Sequence, residues 1–178
     1  GLYTKQLEAL FNIGATVSQT LNLEELLDSV LDKLMETMNV EASGIFLLDR
    51  QTDSLNLRAH RGISSKLVRE LKNIKADDEF IGQVAKSGKP LLIRDVATNP
   101  RLAKSRARGE KFQSFAAVPI MSREKILGVM GVGSHKYREF PEWEVRMLDT
   151  IANQIGMAIE NAQLYEHALE LAFTDGLT

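Results

Sequence analysis

The chain has 178 residues, of which 44% are apolar and 26% charged, with a formal net charge of −2. That is the profile of a soluble globular domain with helical extensions, and it lacks the basic surplus that holds nucleic acid or anionic lipid. There is no cysteine, which excludes disulfides, thiolate metal sites and cofactors attached through a thioether.

No apolar run reaches the roughly 18 to 20 residues needed to cross a bilayer, and no basic region followed by an apolar stretch opens the chain. A cytoplasmic location and no membrane contact are therefore expected. His60, His135 and His167 have no metal-ligand spacing, so no metal site is expected and the cofactor stays unassigned. The first residue is Gly1 rather than Met, and the chain reads as a piece of a longer protein.

In chain order, residues 1–20 place Tyr3, Leu7, Leu10, Gly14 and Val17 at helical spacing, a narrow stripe suited to a partner helix. Asn22 with Glu25 three residues on signals a helix N-terminus, and Leu23, Leu26, Leu27, Val30, Leu31, Leu34, Met35 and Met38 supply a broad buried face ending at Asn39. The run Ala42 to Leu48 predicts a strand. After a polar turn, Leu55, Leu57 and Ala59 alternate with polar neighbours, so the two segments read as an antiparallel hairpin. Its parity stays open, with either Phe46 and Leu48 or Ile45 and Leu47 toward a pocket.

Helices are predicted over Ser65 to Asn73 and Glu79 to Lys86, the second closed by Gly88 and Pro90. Leu91 to Ile93 is a third strand. Asp95 to Lys111 then loses periodicity and gains charge, which in a compact domain points to a functional loop. Two further strands, Ser114 to Met121 and Ile126 to Ser134, lead to a last helix that Pro141 opens. In it Leu148, Ile151, Ile155, Ala158, Ala162, Tyr165, Leu169 and Ala172 keep a 3-4 seam for more than three heptads, the pattern of a helix that seeks a second helix. The resulting fold class is α+β, a mainly antiparallel sheet of five to six strands with the terminal helices on one face and a ligand pocket on the other.

Several phrases in this order resemble the GAF domain family of small-molecule sensors and dimerisation modules. Asn22 to Leu27 leading to Ala42 to Asp49 is similar to the family's opening helix and strand, Ile81 to Pro90 to its middle helix and turn, and Ala117 to Ile120, Gly128 to Val132 and Phe140 to Glu144 to its last strands and final helix. The tail Phe173 to Thr178 resembles the opening of a GGDEF domain, the unit that condenses two GTP into cyclic di-GMP. The resemblance implies residues 1–20 as a signalling helix, 21–162 as the GAF domain, and 163–178 as a linker helix and the start of a truncated GGDEF domain. It implies a homodimer through Leu7, Leu10 and Val17 of the first helix and the seam of the last, controlling a downstream diguanylate cyclase. Some cyclic-nucleotide-binding members carry an Asn-Lys pair, a Phe and an Asp-Glu pair where this chain has Ser134-His135, Phe140 and Glu144-Val145. Only the Phe is kept, which disfavours cyclic nucleotides.

The expected pocket draws Phe46, Leu57 and His60 from the hairpin, Phe80 and Val84 from the middle helix, and Phe112, Phe115 and Ala117 from the late strand. Arg94, Asp95 and Arg101 are added for a carboxylate, phosphate or similar anion, since guanidinium groups grip such ions with forked hydrogen bonds. The same cations also read as a solvated loop. Asp77, Asp78 and Glu79 suit the N-terminus of the helix that follows them. No catalytic motif is present, so the chain itself reads as regulatory. The alternative is a ligand-free dimerisation module whose pocket is filled by its own side chains.

Overall fold

The computed structural model describes residues 22–75, 80–99 and 111–176. Leu7, Leu10, Val17, Arg101 and the acids at 77–79 therefore lie outside the described residues.

Helix α1 (Leu23–Met38) begins where the Asn22 side chain accepts the Glu25 N–H at 3.2 Å and ends at Asn39, whose left-handed conformation (φ 54°) sends its N–H to the Met35 carbonyl. Strands β1 (Ala42–Asp49) and β2 (Ser54–Arg61) form the predicted hairpin. Helix α2 (Ser65–Leu71), capped by Ser64, stops two residues short of its expected end, and β3 (Asn73–Lys75) follows. This edge strand is absent from the sequence reading because it holds a single apolar residue, Ile74, between two polar ones, where Leu91 to Ile93 is apolar throughout. It pairs with Ser54 to Asn56 and buries Ile74.

Helix α3 (Ile81–Ser87) closes at Gly88 (φ 66°), as its sequence implies. Strand β4 (Leu91–Ile93), a short 3-10 turn (Val96–Thr98), β5 (Ser114–Ser122), β6 (Lys125–Ser134) and helix α4 (Glu142–Gly176) complete the order. The strands make one six-stranded antiparallel sheet, β3-β2-β1-β6-β5-β4.

Helices α1 and α4 cover one face. Leu27, Leu31 and Leu34 of α1 and Leu148, Ile151 and Ile155 of α4 close on Ile45, Val118, Ile120 and Met130, all essentially without solvent contact. Each such side chain contributes about 1.5–3 kcal/mol relative to exposure. The expected alternation in β2 is broken once. Ile45 faces Ala59 and Phe46 faces Leu57, so Arg58 is an extra, bulged residue. Leu55 and Leu57 therefore point away from α1, whereas Ala59 joins its core. The bulge also aims Arg58 at Glu24 (3.7 Å), and Arg61 reaches Asp32 (2.8 Å) and Asp28 (3.3 Å), tying β2 to the outer side of α1.

Candidate functional site

The opposite sheet face carries the expected pocket residues. Because successive residues of a strand point to opposite faces, Phe46 and Leu48 turn toward this side and Ile45 and Leu47 toward α1. That decides the open parity. Leu57, Ala117 and Val129 line the same face beneath Ile81, Val84 and Phe80. Phe115 joins them through rings: its centroid lies 5.4 Å from Phe80 and 5.4 Å from Phe112, and Phe112 lies 4.7 Å from the His135 imidazole. His60 stands opposite Gly44 in the register, one residue beyond Ala59, and by alternation belongs to this side.

The floor of this face contains Gly131 and Gly133, and the chain's own side chains already occupy the space above both. A Cβ on Gly133 would meet Phe115 at 3.1 Å and Phe112 at 3.3 Å, and one on Gly131 would meet Ala117 at 3.8 Å and Ile81 at 3.9 Å. The residues packed here are aromatic or aliphatic. What the arrangement offers chemically is stacking and shape, with no described ionised group at its centre.

Two expected anion ligands are placed elsewhere. Arg94 is largely exposed and its guanidinium donates to Glu139 at 2.9 Å, so the expectation that it lines the pocket mouth is corrected. Leu91 and Ile93 take the buried side of β4, and the following residue continues the alternation with exposed Leu92. The Asp95 carboxylate is used locally, accepting the Ala97 N–H at 3.0 Å as the cap of the 3-10 turn.

One polar cluster escaped the sequence reading. The fully buried Ser114 hydroxyl donates to the Arg94 carbonyl, lies 3.0 Å from the Lys136 carbonyl, and accepts the Arg138 N–H at 2.9 Å. Arg138 then pairs with Glu144, only 2% exposed in the first turn of α4, and lies over the Phe140 ring at 5.5 Å. Burial pushes the Glu144 carboxyl above its ordinary value, and Arg138 only partly opposes this. Glu144 Oε1 is left without a hydrogen-bond partner. Spacing carries no sign of this cluster, because its members come from the segment after β4, the start of β5, the β6–α4 connection and the first turn of α4.

The last helix divides the expected seam. Leu148, Ile151 and Ile155 are spent on the domain's own core, which corrects their assignment to a free seam, and Ala158 packs at its edge. Ala162 is half-buried, whereas Tyr165 and Leu169 are exposed. Among the described residues, no group of three or more His, Asp or Glu side chains is disposed to hold a metal, and no helix is long and apolar enough to cross a membrane.

The family model described as GAF domain matches residues 20–160. Among curated proteins, the chain is 26% identical over 159 residues to the phosphoenolpyruvate-dependent phosphotransferase system protein of Escherichia coli, covering 89% of this chain and 21% of that protein. It is 23% identical over 177 residues to diguanylate cyclase A of Treponema denticola, covering 97% of this chain and 46% of that protein. The chain thus spans from about a fifth to under half of these relatives. The solved GAF domain of a phosphoenolpyruvate-protein phosphotransferase from Coxiella burnetii superposes with a TM-score of 0.83 at 26% identity, covering 92% of this chain and 98% of that one. Free methionine-R-sulfoxide reductase of Neisseria meningitidis shares the fold, with a TM-score of 0.78 at 22% identity over 90% of this chain and 91% of that one.

Proposed function

The chain belongs to the GAF domain family, the kind of domain found in signal-transduction and regulatory proteins, and from that premise we propose that it is a cytoplasmic sensor whose output is helix α4. In this reading a small molecule taken up on the aromatic face shifts the arrangement of a dimeric pair of α4 helices. That arrangement controls a diguanylate cyclase domain that follows in the same protein. The chain itself is regulatory, and the cyclase chemistry belongs to the domain it governs.

The observation that carries the reading is the length of α4. The helix runs for 35 residues, Glu142 to Gly176, but its contacts with the core end at Ile159. Beyond that point Leu164, Tyr165, Leu169, Leu171 and Phe173 are all more than half exposed. A helix that only closed a core would stop with the core. The tail from Phe173, with its likeness to a GGDEF opening, and the similarity to diguanylate cyclase A support a cyclase as the controlled domain. A ligand need only bind one arrangement better than the other to shift the population.

A second reading, a ligand-free dimerisation module, is favoured by the packing of Phe112 and Phe115 over Gly133. Native mass spectrometry of the freshly purified protein separates the two. A dimer that retains a small molecule supports the sensor, and a dimer at bare mass that stays unshifted through a metabolite screen supports the module. A monomer at all concentrations overturns both. Control of a cyclase is tested in the longer protein by cyclic di-GMP synthesis from GTP, which should change by at least several-fold when α4 is lengthened by two residues and its rotation altered.

A further inference from the structure

The turn between β5 and β6 is held in a conformation that its residues do not favour. Ser122 pairs with Lys125, which leaves Arg123 and Glu124 as a two-residue connection, and both have positive φ, 53° and 65°. Asparagine and glycine enter this tight hairpin geometry readily, whereas a long side chain enters it at a steric cost. Arg123 supplies something that glycine could not, because its Nε lies 3.7 Å from Glu160 Oε1 of α4. The neighbouring Ser122 hydroxyl, buried at the same point, donates to Glu160 Oε2. The hairpin tip thus engages both oxygens of one carboxylate.

That carboxylate sits where α4 leaves the domain, since Ile159 is the last α4 residue in the core. Ala152, Gly156 and Glu160 recur every four residues and so lie along one line of the helix. Ala152 is buried, Gly156 leaves no room for a Cβ beside the Met121 carbonyl oxygen, and Glu160 ends the line at the tip. The same tip is touched from the other face of the sheet. Ile120 faces Gly128 and Met121 faces Ile126, so Leu127 is an extra, bulged residue just before the turn. With Ser122 turned to α4, Met121 and its partner Ile126 turn by alternation to the aromatic side. There Ile126 stands beside Gly88, the closing residue of α3, where a Cβ would lie 3.6 Å from Ile126 Cδ1. Helix α3 carries Ile81 and Val84 over the aromatic face, with Phe80 at its start. At the tip, therefore, only the backbone of one strand pair separates α3 from α4.

We propose that the β5–β6 turn couples the two faces: Ser122 and Arg123 grip Glu160 and fix the direction in which α4 leaves the domain, and a shift of α3 against Ile126 loosens that grip. Glu160 is a positioning residue, and the physical link runs through contacts already in place from Gly88 to Ile126, across the turn, and on to the helix. The strain at Arg123 and Glu124 keeps the grip easy to release, because the turn relaxes when it lets go. The regulatory half of the proposal rests on the reading of the aromatic face as a ligand site and of α4 as the output. The grip itself needs neither.

Amide hydrogen exchange of the full chain, followed by mass spectrometry at one protein concentration and without added ligand, reads the backbone of α4 directly. Ser122→Ala and Glu160→Ala should each speed exchange over residues 160–165 by at least about three-fold and leave residues 148–155 unchanged. Glu160→Gln, which keeps an acceptor for Ser122 without the charge, should fall between Glu160→Ala and the native chain. Ile126→Ala, on the α3 side, should speed the same α4 amides in the native chain and add nothing in the Glu160→Ala background. Arg123→Gly should separate grip from stability: exchange over residues 160–165 should rise while Tm stays level or rises, because glycine relaxes the turn. Unchanged exchange in both Ser122→Ala and Glu160→Ala would overturn the grip. An equal effect of Ile126→Ala in both backgrounds would overturn the link to α3, and a fall in Tm with faster exchange along the whole chain in Arg123→Gly would reduce the turn to a support of the fold. None of these results depends on ligand binding, which the native mass measurement decides separately.

Discussion

Glu144 and Gly156 show how single residues seat helix α4. Burial raises the Glu144 carboxyl above its ordinary value. The folded state therefore holds this proton more tightly than the unfolded chain does. Stability from this group is fully present below the unfolded carboxylate value, near pH 4.3, and is lost as pH rises through the higher folded value. Glu144→Gln should flatten that part of the profile: thermal scans across the window should show wild-type Tm falling relative to the variant as pH rises. A wild-type Tm that rises relative to the variant would mean that the Arg138 pairing outweighs burial. Gly156 is a different case, since a Cβ there would lie well inside contact distance of the Met121 carbonyl oxygen of β5. In a free helix alanine would be favoured over glycine by about 1 kcal/mol. Here Gly156→Ala should instead destabilise by about 1–3 kcal/mol in urea titration, because the backbones must part.

At the scale of elements, α4 is two helices in packing and one in geometry. Its first half is a core element and its second half is a surface one, and the boundary lies near Ile159. Ile155→Ala should therefore cost about 2–5 kcal/mol in unfolding free energy, whatever the protein concentration, and leave association of the folded chain intact. Had Ile155 belonged to a seam between copies, the loss would grow on dilution. Helix α1 is set by its cap as well as its leucines, and Asn22→Ala should remove about 1 kcal/mol by loss of the acceptor for the Glu25 N–H. The hairpin holds its register because Ile45 and Phe46 serve opposite faces, and the Arg58 bulge lets β2 change phase to match.

For the whole molecule, the sheet separates two cores of different composition. The α1/α4 side is a continuous aliphatic core, whereas the far side is a smaller aromatic one in which four rings run from Phe80 through Phe115 and Phe112 to His135. His135 stands at the head of the connection to α4, and Arg138 and Glu144 join that connection to the helix. A chain ending at Gln163 should keep its Tm within a few degrees, since the residues removed make few core contacts. It should also lose self-association in sedimentation. A large fall in Tm on that truncation would show that the end of α4 supports the domain.

Sequence alone determined the elements whose signals are local. The cap at Asn22, the long period of α1 and α4, the stop at Gly88 and the hairpin from Ala42 each follow from neighbouring residues. The order of these elements carried the resemblance to the GAF family. Of the residues expected around a pocket, Leu57, Val84, Phe115 and Ala117 sit on strands and a helix whose periods could be read, whereas Phe80 and Phe112 lie just outside such elements. Tertiary structure decided the rest. Sheet parity depended on which face α1 and α4 chose, and β3 exists only because β2 offers it an edge. Arg94 left the site because Glu139, 45 residues later, lies beside it. The seam of α4 split because periodicity reveals an apolar line along a helix, while only the position of the sheet reveals which part of that line is already covered.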